Sequence, residues 1–260
     1  MFEKELEQMI IASLKAKEVI MEIYKKHSEV VEIKEDKSPV TQADKQSDTL
    51  IRTYLHNMFP EYGLLSEETS DDKSRLEKDY VFIIDPIDGT KDFIDHDDEF
   101  AINIALSYKH EIVAGVICVP AMDELYYASK GKGAFMVKDG ETKQIHTSDN
   151  EVKRVVRSRF HTLPIEDKYI EERKDLISDI IGCGSSYKGC KIARGDADLN
   201  FKLGAGTKEW DTAPMDIIVK EAGGSFTHPD GSIYTYNRED VYNRDGFVIL
   251  NKVDKKFFTD

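Results

Sequence analysis

Two carboxylates three residues apart sit in the run Asp85-Pro86-Ile87-Asp88-Gly89-Thr90, directly after the apolar stretch Val81-Phe82-Ile83-Ile84. Clustered Asp and Glu oxygens are the ligands that hard divalent cations take. Pro86 and Gly89 force a turn, and Gly89 lets backbone approach a ligand closely. If Gly89 and Thr90 open a helix, their amides suit a phosphate. Taken alone, the run is equally well an Asp-Pro, Asp-Gly turn. Other acids shift that balance: Ser66-Glu67-Glu68 precedes the same strand, Trp210-Asp211 precedes an apolar helical segment, and Asp44 stands at the start of a helix. Each also has a plainer explanation. Thr41-x-x-Asp44 reads as a capping box, Glu67-Glu68 as a solvated face and Asp211 as a helix cap.

The elements that must position these residues follow from hydrophobic periodicity. Leu6, Met9, Ile10, Leu14, Ile20, Ile23 and Tyr24 keep a helical period across the first segment. Pro39 pushes Ser38 toward extended backbone, and a second helix begins near Thr41 and carries Leu50, Ile51, Tyr54, Leu55 and Met58, stopping before Pro60. Ser66 to Lys78 is polar and reads as a surface loop. Residues 100–108 alternate Ile102, Ile104 and Leu106 with Asn103, Ala105 and Ser107, the pattern of a half-buried strand. Residues 111–119, 124–129 and 133–138 follow with glycine turns, as in an antiparallel meander. Beyond residue 152 strands alternate with helices: Val155-Val156, a charged helix over 166–178, Ile180-Ile181, a helix after Asp211, then strands at 225–227 and 247–250. The pattern predicts an α+β layered fold in two halves, 1–150 with most of the acids and 151–260 with Asp211.

Composition narrows the partners. Thirty-six basic against 50 acidic residues give a formal net charge of −14, a field that repels nucleic acid polymers and anionic membranes. A small anionic substrate stays open, because a bound divalent cation inverts the local sign. Met1 to Glu5 carries acids where a signal peptide has a basic flank, and no apolar run approaches a membrane span. Cys118, Cys183 and Cys190 form no Cys-x-x-Cys pair, which points away from disulfides or structural zinc and toward a reducing cytoplasm.

In this order, Glu67-Glu68, Asp85 through Thr90, Trp210-Asp211-x-Ala213 and Glu221-Ala222-Gly223-Gly224 resemble the inositol monophosphatase superfamily. Its members are lithium-sensitive, magnesium-dependent phosphatases related to fructose-1,6-bisphosphatase, and the likeness runs from Lys37 to about Gly224. The resemblance implies a layered αβαβα sandwich of that type. It also implies two or three Mg²⁺ ions on Glu67, Asp85, Asp88, Asp211 and the carbonyl of Ile87. Thr90 paired with Asp44 would orient and deprotonate the attacking water, Glu68 would assist beside the metals, and Gly89 and Thr90 would meet the phosphate. Adjacent metals can hold both the attacking and the leaving oxygen, so the implied reaction is in-line hydrolysis of a phosphate monoester.

Within the superfamily, four segments resemble the bacterial 3′(2′),5′-bisphosphate nucleotidases: Lys37 through Asp44, Ser158-Arg159-Phe160-His161, Gly184-Ser185-Ser186-Tyr187-Lys188, and Trp210 through Pro214. That branch implies adenosine 3′,5′-bisphosphate as substrate, with Ser185, Ser186 and Lys188 on the second phosphate and Lys202 and His161 on phosphate or ribose. A second phosphate needs a cation away from the metals, which Lys188 supplies. Two departures stand out. Lys202 replaces an arginine of that branch, and lysine is not an equivalent donor. Residues 203–209 carry one residue more than its usual pattern. Gly204 occupies the place where inositol phosphatases carry a glutamate for inositol hydroxyls, which tilts away from inositol phosphate. The alternatives are an inositol or broad sugar phosphatase, fructose 1,6-bisphosphate included, and a non-catalytic metal- or nucleotide-binding sensor. A monomer and a homodimer both suit the family.

Overall fold

In the computed structural model, residues 2–26, 31–34, 39–160 and 162–259 are described; Lys37, Ser38 and His161 of the motifs above lie outside the described residues. Helix α1 spans Glu3–Lys26 and buries Met9, Ala12, Ala16, Ile20 and Ile23, the three-to-four spacing of one helix face, while Leu14 is exposed. Strands β1 (Val31–Ile33) and β2 (Pro39–Thr41) pair antiparallel and lead into α2 (Gln42–Met58), which starts where the capping box predicts.

Strands β3 (Gly63–Ser66), β4 (Tyr80–Asp88), β5 (Ala101–Tyr108), β6 (Glu111–Val119), β7 (Glu124–Ser129), β8 (Ala134–Lys138) and β9 (Glu141–Ile145) form one seven-stranded sheet in sequence order. β3 runs parallel to β4, and each later pair is antiparallel, the expected meander with β9 added. A short helix, α3 (Thr90–Asp95), sits between β4 and β5.

The remaining strands are β10 (Lys153–Arg157), β11 (Ile177–Gly182), β12 (Leu199–Lys202), β13 (Ser225–Thr227) and β14 (Phe247–Leu250), ordered β11-β10-β12-β14-β13 in a second sheet. Among them run α4 (Pro164–Glu171), α5 (Tyr187–Ala193) and α6 (Glu209–Glu221). The charged helix expected over 166–178 ends at Glu171. The reason is pairing: Ile177 must already be extended to lie beside Lys153 of β10, so a 3-10 turn at Lys174–Leu176 and then β11 replace the last helical turns. β12 and α5 had no clear sequence signal.

Packing arranges these elements as α1 and α2, the seven-stranded sheet, α5 and α6, the five-stranded sheet, and α4, a layered αβαβα sandwich. β5 is buried on both faces rather than half-buried: Ile102, Ile104 and Leu106 join the cluster under α1 and α2, while Ala101 and Ala105 join the one under α6. No described helix is long and apolar enough to cross a membrane, and the three cysteines are free and buried.

Gly115 of β6 sets how closely α6 lies on the sheet. A Cβ there would fall 2.5 Å from Ile217 Cγ2 and 3.0 Å from Pro214 Cα, so helix backbone rests directly on strand backbone. Gly115→Val is expected to cost about 1–3 kcal/mol by overpacking and to displace α6, which carries Asp211. Thermal unfolding and Mg²⁺ titration of activity check this together. A lowered Tm with an unchanged Mg²⁺ requirement would separate the helix seat from the site.

Candidate active site

Asp85 and Asp88 are an odd number of residues apart, so a regular strand would aim them at opposite faces. The ladder with β5 avoids this: Asp85 lies opposite Asn103 and Asp88 opposite Ala101, three residues against two. This bulge at Pro86-Ile87 turns both carboxylates to the face that α6 covers. The Ile87 amide donates to Asp85 Oδ1 at 3.1 Å and fixes its rotamer. Glu67 follows β3, its amide extending the ladder to the Ile84 carbonyl at 3.2 Å, which sets it beside Asp85. Asp48 of α2 steadies that exit, accepting from Ser66 Oγ at 2.5 Å and Thr69 Oγ1 at 2.9 Å.

Asp211 arrives from the other half of the chain. It lies in the first turn of α6, and its Oδ2 accepts from the Lys208 amide at 2.5 Å, so the expected cap role is real. Buried Glu209 anchors the same helix end by accepting from the amides of Asn237 and Arg238. Pro214 has no N–H for the Trp210 carbonyl, and Asn103 Nδ2 fills the vacancy at 3.2 Å. The same Nδ2 lies 3.2 Å from Asp88 Oδ2, and Asn103 Oδ1 accepts from Ser186 Oγ at 2.7 Å. Asn103 thus ties β5 to α5, α6 and the acidic run. Sequence reading passed over it as one polar residue of an alternating strand.

One oxygen each of Glu67, Asp85 and Asp211 lie within 4.8 Å of one another. Burial, then the neighbouring carboxylates, pushes Asp85 and Asp211 well above the usual carboxylate range. Burial also raises Asp88, against the pull of Lys188 and of the Ser186 amide, which donates to Asp88 Oδ2 at 2.5 Å. An oxygen-only, carboxylate-rich and self-repelling donor set fits hard divalent cations such as Mg²⁺. Glu68 is turned to Lys34, whose Nζ lies 2.5 Å from it and 3.1 Å from Glu67. Burial pushes the Glu68 carboxyl up to about 7 despite that ion pair.

Thr90 Oγ1 lies 3.2 Å from Asp44 Oδ1 and 3.4 Å from the Ile87 carbonyl. Asp44 is also the N3 residue of the capping box: its Oδ2 accepts from the Thr41 amide at 2.8 Å and from Thr41 Oγ1 at 2.6 Å. Burial raises its pKa, and the Thr41 bonds oppose the rise. Gly89, with φ of 89°, allows the abrupt start of α3 at Thr90.

A cleft of about 520 Å³ opens over these residues, lined by Glu67, Asp88, Gly89, Thr90 and Asp211 together with Ser185, Ser186, Lys188 and Lys202. The serines are already engaged: Ser185 Oγ donates to the Glu99 carbonyl at 2.5 Å, and Ser186 Oγ to Asn103. Lys188 Nζ donates to the Ser185 carbonyl at 2.5 Å and is half-buried. Lys202 lies 3.4 Å from Glu166, so part of its charge is balanced within the protein. Arg159 binds Asp92, Asp97 and Glu99 at 3.1, 2.5 and 2.8 Å, and so clamps the 158–160 segment onto α3 and its following loop.

The chain matches the inositol monophosphatase family over residues 3–257. It is 35% identical over 247 residues to the 3′(2′),5′-bisphosphate nucleotidase CysQ of Salmonella typhimurium, covering 94% of this chain and 98% of that protein. Its fold superposes on CysQ from Bacteroides thetaiotaomicron with a TM-score of 0.82 and 32% identity, covering 98% and 99% of the two chains. The inositol monophosphatase of Thermotoga maritima gives a TM-score of 0.79 at 28% identity, covering 95% and 92%.

A carboxyl whose pKa is higher folded than unfolded lowers stability at every pH above its unfolded value, and fully so above the folded one. In metal-free buffer Asp85→Asn is therefore expected to raise stability at pH 7–8 by on the order of 1 kcal/mol, a Tm rise of about 2–4 °C. The gain should shrink as the pH falls and Asp85 of the parent protein protonates. Saturating Mg²⁺ should reverse the order, because only the parent keeps its full ligand set. Calorimetry across pH, with and without Mg²⁺, reads all three, and a destabilised metal-free variant would mean Asp85 is a structural residue.

Proposed function

Because this chain belongs to the inositol monophosphatase family, we propose that it is a magnesium-dependent phosphomonoesterase that hydrolyses adenosine 3′,5′-bisphosphate to AMP and phosphate. The observation that carries the substrate is Lys188, an ammonium on the wall of the same cleft as Thr90 and Asp211. Relatives of nearly the same length that are named 3′(2′),5′-bisphosphate nucleotidases support it.

Glu67, Asp85, Asp88 and Asp211, with the Ile87 carbonyl, would hold two or three Mg²⁺ ions, which when bound supply Lewis-acid polarisation of the phosphate and neutralise charge on the leaving oxygen. The proton is handled by the chain itself. Thr90 Oγ1 donates its hydrogen toward Asp44 Oδ1, which leaves its lone pairs directed at the cleft. As water attacks phosphorus, its proton passes to Thr90 Oγ1 while the threonine proton moves to Asp44. The phosphorus–oxygen ester bond breaks in line, and the departing ribose oxygen takes a proton from solvent. The raised pKa of Asp44 suits it to receive a proton, and Thr41 keeps its second oxygen fixed meanwhile.

The two residues act as one relay. Thr90→Ala and Asp44→Asn should each lower kcat by roughly 10²-fold or more with little change in KM, and the double variant should be no worse than either single. Steady-state kinetics of the three variants test this, and multiplying losses would assign the residues separate tasks.

Specificity has its own test. With the scissile 3′-phosphate at the carboxylates, the 5′-phosphate falls to Lys188, a charge-assisted contact worth about 1.5–3 kcal/mol, or roughly ten- to a hundredfold. Lys188→Ala should depress kcat/KM for adenosine 3′,5′-bisphosphate by that factor and leave adenosine 3′-monophosphate nearly untouched. Equal losses on both nucleotides, or faster turnover of inositol 1-phosphate by the parent enzyme, would return the assignment to a broad phosphatase.

A further inference from the structure

Three aromatic side chains line the cleft among the described residues: Phe160, Phe201 and Phe247. Phe201 and Phe247 are buried, their surfaces spent on the core, whereas Phe160 is 43% exposed. The exposed part of that ring is apolar surface that folding leaves uncovered beside a polar cleft. Its placement is nonetheless enforced. Arg159 before it is held by three carboxylates, and Lys91, the neighbour of Thr90, lies with Nζ 3.9 Å from the ring centroid. That cation–π contact occupies one face of the ring and hangs Phe160 beside the reacting end of the cleft.

Resting on the nucleotidase reading above, we propose that Phe160 is the stacking platform for the base of the substrate. A cleft of about 520 Å³ lies within the range of roughly 300–1,000 Å³ typical of small-molecule sites, room for a nucleoside as well as its phosphates. The phosphates are drawn to the carboxylate-bound cations and to Lys188, and the flat uncharged remainder needs an aromatic face. Phe160 supplies it, with the exposed part of the ring that Lys91 at 3.9 Å and the Arg159 guanidinium at 5.9 Å from the centroid do not cover. Every base presents a π-face, so stacking selects nucleotides over inositol and sugar phosphates without choosing strongly among bases. Phe160 is a binding residue here and takes no part in proton transfer.

The experiment crosses two enzymes with two substrates: the parent protein and Phe160→Ala, against adenosine 3′,5′-bisphosphate and its base-free tetrahydrofuran 3,5-bisphosphate analogue. The parent is expected to lose about tenfold in kcat/KM, mostly through KM, when the base is removed. Phe160→Ala should show that loss already on the nucleotide and lose little more on the analogue, while Phe160→Trp should retain activity on the nucleotide. Tryptophan fluorescence of Phe160→Trp, measured against the background of Trp210, should be quenched by the nucleotide and not by the analogue. An equal loss on both substrates would make Phe160 a structural residue, and no loss on the nucleotide would remove it from the site; either result overturns the inference while the nucleotidase reading stands. A parent enzyme that prefers inositol 1-phosphate to the nucleotide overturns that reading, and this inference with it.

Discussion

Carboxylates gathered in a buried place repel one another, and the structure is organised around holding them there. Glu67, Asp85 and Asp211 crowd within 4.8 Å, with Asp88 close enough to act on their charges. Such a cluster opposes folding unless rigid elements force it and cations later relieve it. Three separate pieces of chain supply the force: the exit of β3, the bulged end of β4 and the first turn of α6. None of them can relax alone. Gly115 seats α6 on the sheet, and Asn103 bonds the Trp210 carbonyl that Pro214 leaves open.

Several residues serve the fold and the site with the same atoms. Asp44 caps α2 through one carboxylate oxygen and holds Thr90 through the other. Asp211 caps α6 through Oδ2 and is a member of the acidic cluster. Ser186 bonds Asp88 through its amide and Asn103 through its hydroxyl, so the serine expected to meet phosphate also sets a carboxylate. A cap bond costs the protein nothing extra when the capped turn must be rigid for chemistry as well. For these acids the plain explanation as a cap therefore does not exclude the functional one.

Charge across the cleft follows from the same arrangement. Lys34 stands against Glu67 and Glu68, and Lys188 opposes the burial that raises the pKa of Asp88. In a chain of net charge −14 these ammonium groups are local corrections that let an anionic substrate approach. Arg159 works differently: exposed at the surface and paired with Asp92, Asp97 and Glu99, it spends its charge on joining the segment after β10 to α3.

The acidic run, the capping box and the order of the motifs were legible in the sequence because they are local: spacing, turn residues and helix periodicity fix them within a few residues. The layered α+β class followed from strand and helix periods in the same way. Other features depended on long-range pairing. Nothing local says that the ladder with β5 inserts Pro86-Ile87 as a bulge and so brings Asp85 and Asp88 to one face. Nor does it say that Asn103 meets a carbonyl 107 residues away, since its partner is created by a missing N–H at Pro214. The helix expected through residue 178 stopped at Glu171 because β10 required an extended partner. By itself the sequence determined which groups are candidates for the chemistry; the tertiary structure decided which of them face each other, because only packing brings oxygens from β3, β4 and α6 into one space too small for their charges.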